Sequence, residues 1–177
     1  SRGLGDVYKR QIYNITIIIS QFKRNIITVI SIKNSRFNNF FIDSDNNEYV
    51  NELFDVDVSN SIIYGNQNIE FLVENLSDLD LDFKLINTLV KFDDVNNYFE
   101  NDPKYDFSND QYYENLFDNL LPGFINPIQN DLRIDQNSEV IGLGSLEFAI
   151  LTPYDMLNIN RTQNSDLGAY QHVIIED

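Results

Sequence analysis

The chain has 177 residues, a formal charge of −16 at pH 7 and no cysteine. Its length suffices for one domain with a real core, while the charge repels nucleic-acid phosphates and acidic glycans unless a cation bridges them. The missing thiols exclude disulfides, thiol catalysis and thiolate metal sites, and no apolar run approaches the roughly 20 residues that span a bilayer.

Residue usage is lopsided, with 25 Asn, 22 Ile and 19 Asp against one Met, one His and no Trp. Asn and Asp favour turns and Ile favours half-buried strands, so short Ile-rich strands punctuated by Asn and Asp are expected. An AT-rich genome would push composition the same way. The opening segment, residues 1–11 (SRGLGDVYKRQ), differs in composition from the rest of the chain. It holds two of the seven Gly and three of the twelve Lys and Arg. It resembles a peptide that recurs at the ends of metagenomic translations, where a sequencing adapter is read as protein. On that resemblance residues 1–11 are non-native and the natural frame extends upstream; the alternative is a genuine N-terminus.

Residues 12–92 carry a repeat. Ile30-Ser31-Ile32-Lys33-Asn34-Ser35 aligns with Val56-Asp57-Val58-Ser59-Asn60-Ser61, and that with Phe83-Lys84-Leu85-Ile86-Asn87-Thr88, at offsets of 26 and 27 residues. Apolar residues two apart make a strand with one buried face. A period of this size suits one turn of a β-solenoid, whose coils stack about 4.8 Å apart. Equivalent asparagines then stand above one another, so Asn34, Asn60 and Asn87 are the expected ladder of amide hydrogen bonds. An antiparallel sandwich with strands of similar length is the competing architecture. A related segment, Ile15 to Phe22, breaks the period with an offset of 15 and reads as another face of the same coil.

Residues 93–122 read as a long insertion, rich in turn signals and aromatic rings. A short helix is expected from Asn109, with Tyr113, Leu116, Phe117 and Leu120 on one face. The rings either anchor the insertion on the coils or form a sugar-stacking face, for which Tyr98, Tyr105, Tyr112 and Tyr113 are the candidates.

Residues 123–177 hold four short motifs in order: Phe124-Ile125-Asn126-Pro127, then Asp131-Leu132-Arg133-Ile134, then Ser138 to Gly144, then Asp166-Leu167-Gly168-Ala169-Tyr170-Gln171. Together they resemble the ending of secreted bacterial β-helix proteins of the choice-of-anchor Q family. Glu139-Val140 and Gln171 depart from that family's usual Pro-Ala and Glu, and Met156 to Arg161 lacks its Gly. The resemblance implies an all-β, right-handed parallel β-helix, a secreted or cell-surface location, and no known activity. On this reading residues 123–177 complete the final coil and cap it. Gly142, Gly144 and Gly168 would allow tight cap turns, and Arg161 would pair with Asp155 or Asp166.

No catalytic constellation is legible, and His172 near the end reads as an exposed side chain rather than a general base. The acidic sets Asp43/Asp45, Asp55/Asp57 and Asp78/Asp80/Asp82 would suit structural calcium. None has EF-hand spacing, so no metal ligand is assigned and the sets read as a solvated acidic face. The expected role is an extracellular structural or binding module presenting a face to polysaccharide or cell-surface glycan. The rival is the non-catalytic end of a polysaccharide lyase or glycoside hydrolase whose active site lies upstream.

Overall fold

The computed structural model describes residues 9–13, 16–19, 30–34, 40–42, 48–50, 55–75 and 82–175, with side chains over 57–73 and 83–175. Among the described residues the fold is all-β apart from one short α-helix and two single 3-10 turns. Strands β1 (Lys9–Tyr13) and β2 (Thr16–Ile19) are followed by β3 (Ile30–Asn34) and a hairpin of β4 (Phe40–Ile42) with β5 (Glu48–Val50). Next come β6 (Asp55–Ser59), β7 (Ile62–Gly65), β8 (Phe71–Asn75) and β9 (Asp82–Val90). Then follow β10 (Tyr113–Asp118), β11 (Phe124–Asn126), β12 (Asp131–Ile134) and helix α1 (Leu146–Leu151).

Among the described strands, β4–β5 and β11–β12 pair antiparallel and the other pairings are parallel. Strand β6 lies beside β1 (Lys9 opposite Asp55) and β7 beside β2 (Thr16 opposite Ile62), both at a step of 46 residues. Strand β9 continues the stack on β6 and β7 at a step of 27, with Val56 opposite Phe83 and Ile62 opposite Leu89. Strand β10 then lies on β9 at a step of 28, with Leu85 opposite Tyr113. A second parallel pair, β3 with β8, sets Ile30 opposite Phe71 at a step of 41.

This register corrects half of the expected repeat. Val56 and Phe83 pair as the 27-residue offset predicts, but Ile30 belongs to a different pair of strands. Asn34 accordingly stands opposite Asn75, not in line with Asn60. The apolar-x-apolar-x-Asn pattern recurs on more than one sheet, so it marks strands without saying which. Lys9 to Gln11, inside the segment set aside as non-native, form the start of β1.

Alternation along the strands produces two cores, one on each face of the large sheet. Val58, Ile63, Phe71, Phe83, Leu85, Val90 and Tyr113 form the first. Their neighbours Ile62 and Leu89 point the other way and pack with Ile134, Val140 and Leu167 of the C-terminal module. Phe117 lies opposite Leu89 and extends that second row.

Where a short helix was expected from Asn109, the chain makes strand β10. The reason is a bend at Asn115, whose φ of 50° is left-handed. The bend resets the alternation, so Tyr113 and Leu116 share the first core although they are three apart, and Phe117 and Leu120 share the second. A bent strand thus mimics helical spacing.

Candidate functional site

Three consecutive stacked strands bend at asparagine. Asn60, Asn87 and Asn115 have φ of 48°, 45° and 50°, and the register sets Asn87 between the other two. Asn tolerates this left-handed conformation better than other residues with a β-carbon. The sequence pattern singles out Asn60 and Asn87 and misses Asn115, which the 28-residue step would have supplied.

The described side chains, those of Asn60 and Asn87, bond to the C-terminal module instead of to each other, and the Asn34 side chain lies outside the described residues. Asn60 Oδ1 accepts from the Ser145 N–H at 2.8 Å, and its Nδ2 donates to the Ser145 carbonyl at 2.8 Å. Asn87 Nδ2 donates to the Leu143 carbonyl at 3.1 Å, and the Gly168 N–H donates to the Asn60 carbonyl at 2.9 Å. The amides are spent on docking the C-terminal module. Residues Ile134, Val140 and Leu167 of that module lie against the sheet face formed by β7, β9 and β10.

Glycine serves the module in two ways. Gly142 and Gly168 have φ of 71° and 87°, as tight turns demand. Gly144 instead allows a close approach, since a β-carbon there would sit 2.8 Å from the Ser165 carbonyl oxygen.

Behind these turns lies a buried polar network. Asp166, fully buried, accepts from the Gly142 N–H through Oδ1 and from the His172 N–H through Oδ2. His172 Nδ1 is 2.8 Å from the same Oδ2, so its ring is held in the network rather than free in solvent. Gln171 bridges the Asp166 N–H and the Asn164 carbonyl, and its own N–H donates to Asp155. Arg161 is only 1% exposed and donates through Nη1 to the Gly168 carbonyl. Burial pushes its guanidinium down, against the opposing pull of Asp155 and Asp166. It feels both acids electrostatically but forms the expected ion pair with neither, and both acids accept instead from backbone N–H groups.

The four tyrosines proposed as one sugar-stacking face are not one face. Tyr113 is buried in the first core with its hydroxyl donating to the Lys104 carbonyl, and burial pushes that hydroxyl up. Tyr112 stacks on Phe83 at 4.8 Å between ring centroids. Tyr105 stacks on Phe92 and accepts from the Val73 N–H at 2.9 Å. Phe99 and Phe107 join the same cluster. These rings cover the first core, Tyr105 and Tyr112 half-buried against it, while Tyr98 is 79% exposed.

Beside Tyr98 is an open cleft of about 440 Å³ between the β7–β8 turn and the start of the long loop. Ile69, Leu72 and Phe99 give it apolar surface, and Asn68, Asp93 and Asn96 give it polar groups. Both walls are held from behind. The Asp93 N–H donates to the Asn68 carbonyl at 2.7 Å. Asp94 accepts from the Tyr98 and Phe99 N–H groups at 3.0 and 2.8 Å.

Under the β7–β8 turn the Glu70 carboxylate is fully buried, accepting from the Gln67 N–H at 2.7 Å through Oε1. Its Oε2 has no hydrogen-bond partner, and a β-carbon at Gly65 would collide with Oε1 and the carboxyl carbon. Burial raises the carboxyl above the ordinary carboxylate range, with the Gln67 N–H and Lys91 pulling it back. Lys91 donates to the Gly65 carbonyl at 2.9 Å and lies 5.1 Å from the Tyr64 ring centroid.

Among the described residues no group of three or more His, Asp or Glu is placed to hold a metal ion, and no helix is long and apolar enough to cross a membrane. The acidic sets Asp43/Asp45 and Asp78/Asp80/Asp82 lie outside the residues whose side chains are described. No family model, curated protein or solved structure matches the chain.

Proposed function

We propose that the chain is a stretch of a right-handed parallel β-helix, and that it serves a secreted or surface-displayed protein as a rigid scaffold presenting side-chain faces to a partner. The observation that carries the reading is the stacking itself. Strands at steps of 46, 27 and 28 residues pair in parallel and in register, and the last three rows turn at the same left-handed asparagine. Unequal steps with constant register are what coils of unequal length would produce. The resemblance of Asp166 to Gln171 and its preceding motifs to choice-of-anchor Q endings supports display outside the cell.

A scaffold of this kind needs no catalytic group, and buried Asp166 and half-buried Asp155 of the C-terminal module accept from backbone N–H groups. Protease treatment of intact cells that produce the natural protein is the direct test. Peptides from residues 57–73 and 83–175 should be released while cytoplasmic markers stay intact; complete protection until lysis would refute surface display. Assaying the complete natural protein against a panel of polysaccharides bears on the rival reading. New reducing or unsaturated ends would place the chain in a degrading enzyme.

A further inference from the structure

The cleft beside Tyr98 is built as a site, and we infer that it binds a neutral oligosaccharide, a ligand class that gives the scaffold reading its partner and rests on that reading. The inference starts from what the walls offer. Asn68 and Asn96 each present a carboxamide that both donates and accepts, and Asp93 presents an acceptor pair. None of the three side chains has a hydrogen-bond partner among the described residues. Sugar hydroxyls also donate and accept, so this set matches them. Tyr98 stands at the rim with most of its ring exposed, where the apolar face of a pyranose can lie on it.

Charge narrows the class. No Lys or Arg lines the cleft and Asp93 and Asp94 do, in a chain of net charge −16. Uronate, sulfate or phosphate groups would enter without a counter-charge and against the whole field of the protein. Neutral hexose or pentose chains carry no such penalty. The volume, about 440 Å³, lies within the usual range of small-ligand sites.

The walls are also fixed before any ligand arrives. Asp94 holds the backbone at Tyr98 and Phe99. The Asp93–Asn68 backbone bond ties one wall to the other, and buried Glu70 grips Gln67 from below. Ordering that is complete in the free protein does not have to be supplied on binding.

The test is titration calorimetry of the purified chain with soluble neutral oligosaccharides (gluco-, manno-, galacto- and xylo-) and with oligogalacturonate. At least one neutral series should bind and oligogalacturonate should not. Tyr98→Ala and Asp93→Asn should each weaken binding about tenfold with an unchanged melting temperature, because both side chains are exposed. Tyr154→Ala, which removes an exposed ring on the C-terminal module, should leave affinity unchanged. Silence from every neutral series overturns the inference. So does preference for oligogalacturonate, or binding indifferent to Tyr98→Ala and Asp93→Asn. Because the measurement is made in solution, it stands apart from surface display: a cytoplasmic natural protein would defeat the location and leave this result untouched.

Discussion

Asn87 and Asn115 occupy equivalent bends and differ in what their side chains do. Both are left-handed, but only Asn87 donates to the C-terminal module, while Asn115 is exposed. Glycine relieves the left-handed strain at either position and removes the amide. Asn115→Gly is therefore expected to be neutral within about 0.5 kcal/mol, and Asn87→Gly to cost about 1 kcal/mol, read from urea midpoints. Equal costs would show that the Leu143 bond contributes nothing. Glu70 gives a second contrast, through pH. A carboxyl whose folded-state pKa is raised binds its proton more tightly in the folded chain than in the unfolded one. Its stability contribution is thus full below the unfolded value, near 4.5, and is lost as the pH rises through the folded value. Glu70→Gln cannot ionise, so it should gain stability on the natural protein as the pH goes from about 4 to about 7. A difference that stays flat across that window would dismiss the raised carboxyl.

At the scale of elements, the same sheet serves two cores because each asparagine bend resets the alternation and the adjacent residues beyond it face opposite ways. Leu89 and Val90 are neighbours, both fully buried, yet Leu89 packs on the C-terminal module and Val90 in the other core. Leu89→Ala should cost about 2–5 kcal/mol and loosen the module first, so that limited proteolysis clips within residues 119–145. Val90→Ala should lower global stability without preferential clipping there. The same cut pattern from both variants would mean that the two cores unfold as one. The sequence showed the strands more readily than their partners. Val56 and Phe83 could be aligned because the segment between them is short, with a step of 27. The step from Lys9 to Asp55 was illegible because a longer intervening segment, which includes the β4–β5 hairpin, separates the two paired strands. The cleft was half legible. Tyr98 was visible as a candidate ring, but its three companions were drawn into packing by a core that lacked cover. Glu70 is one of 28 acidic residues and only its burial sets it apart.

At the scale of the molecule, the C-terminal module's attachment governs how it meets load. Its final residues are tied inward, Val173 to Ile134 through a backbone bond of 2.9 Å. Its middle is bonded at Leu143, Ser145 and Gly168 to asparagines on two separate strand rows. Pulling the module off the sheet therefore loads bonds on two strand rows together. Two amide side chains and an apolar seam act as rivets, so that several bonds are strained together before the first one parts.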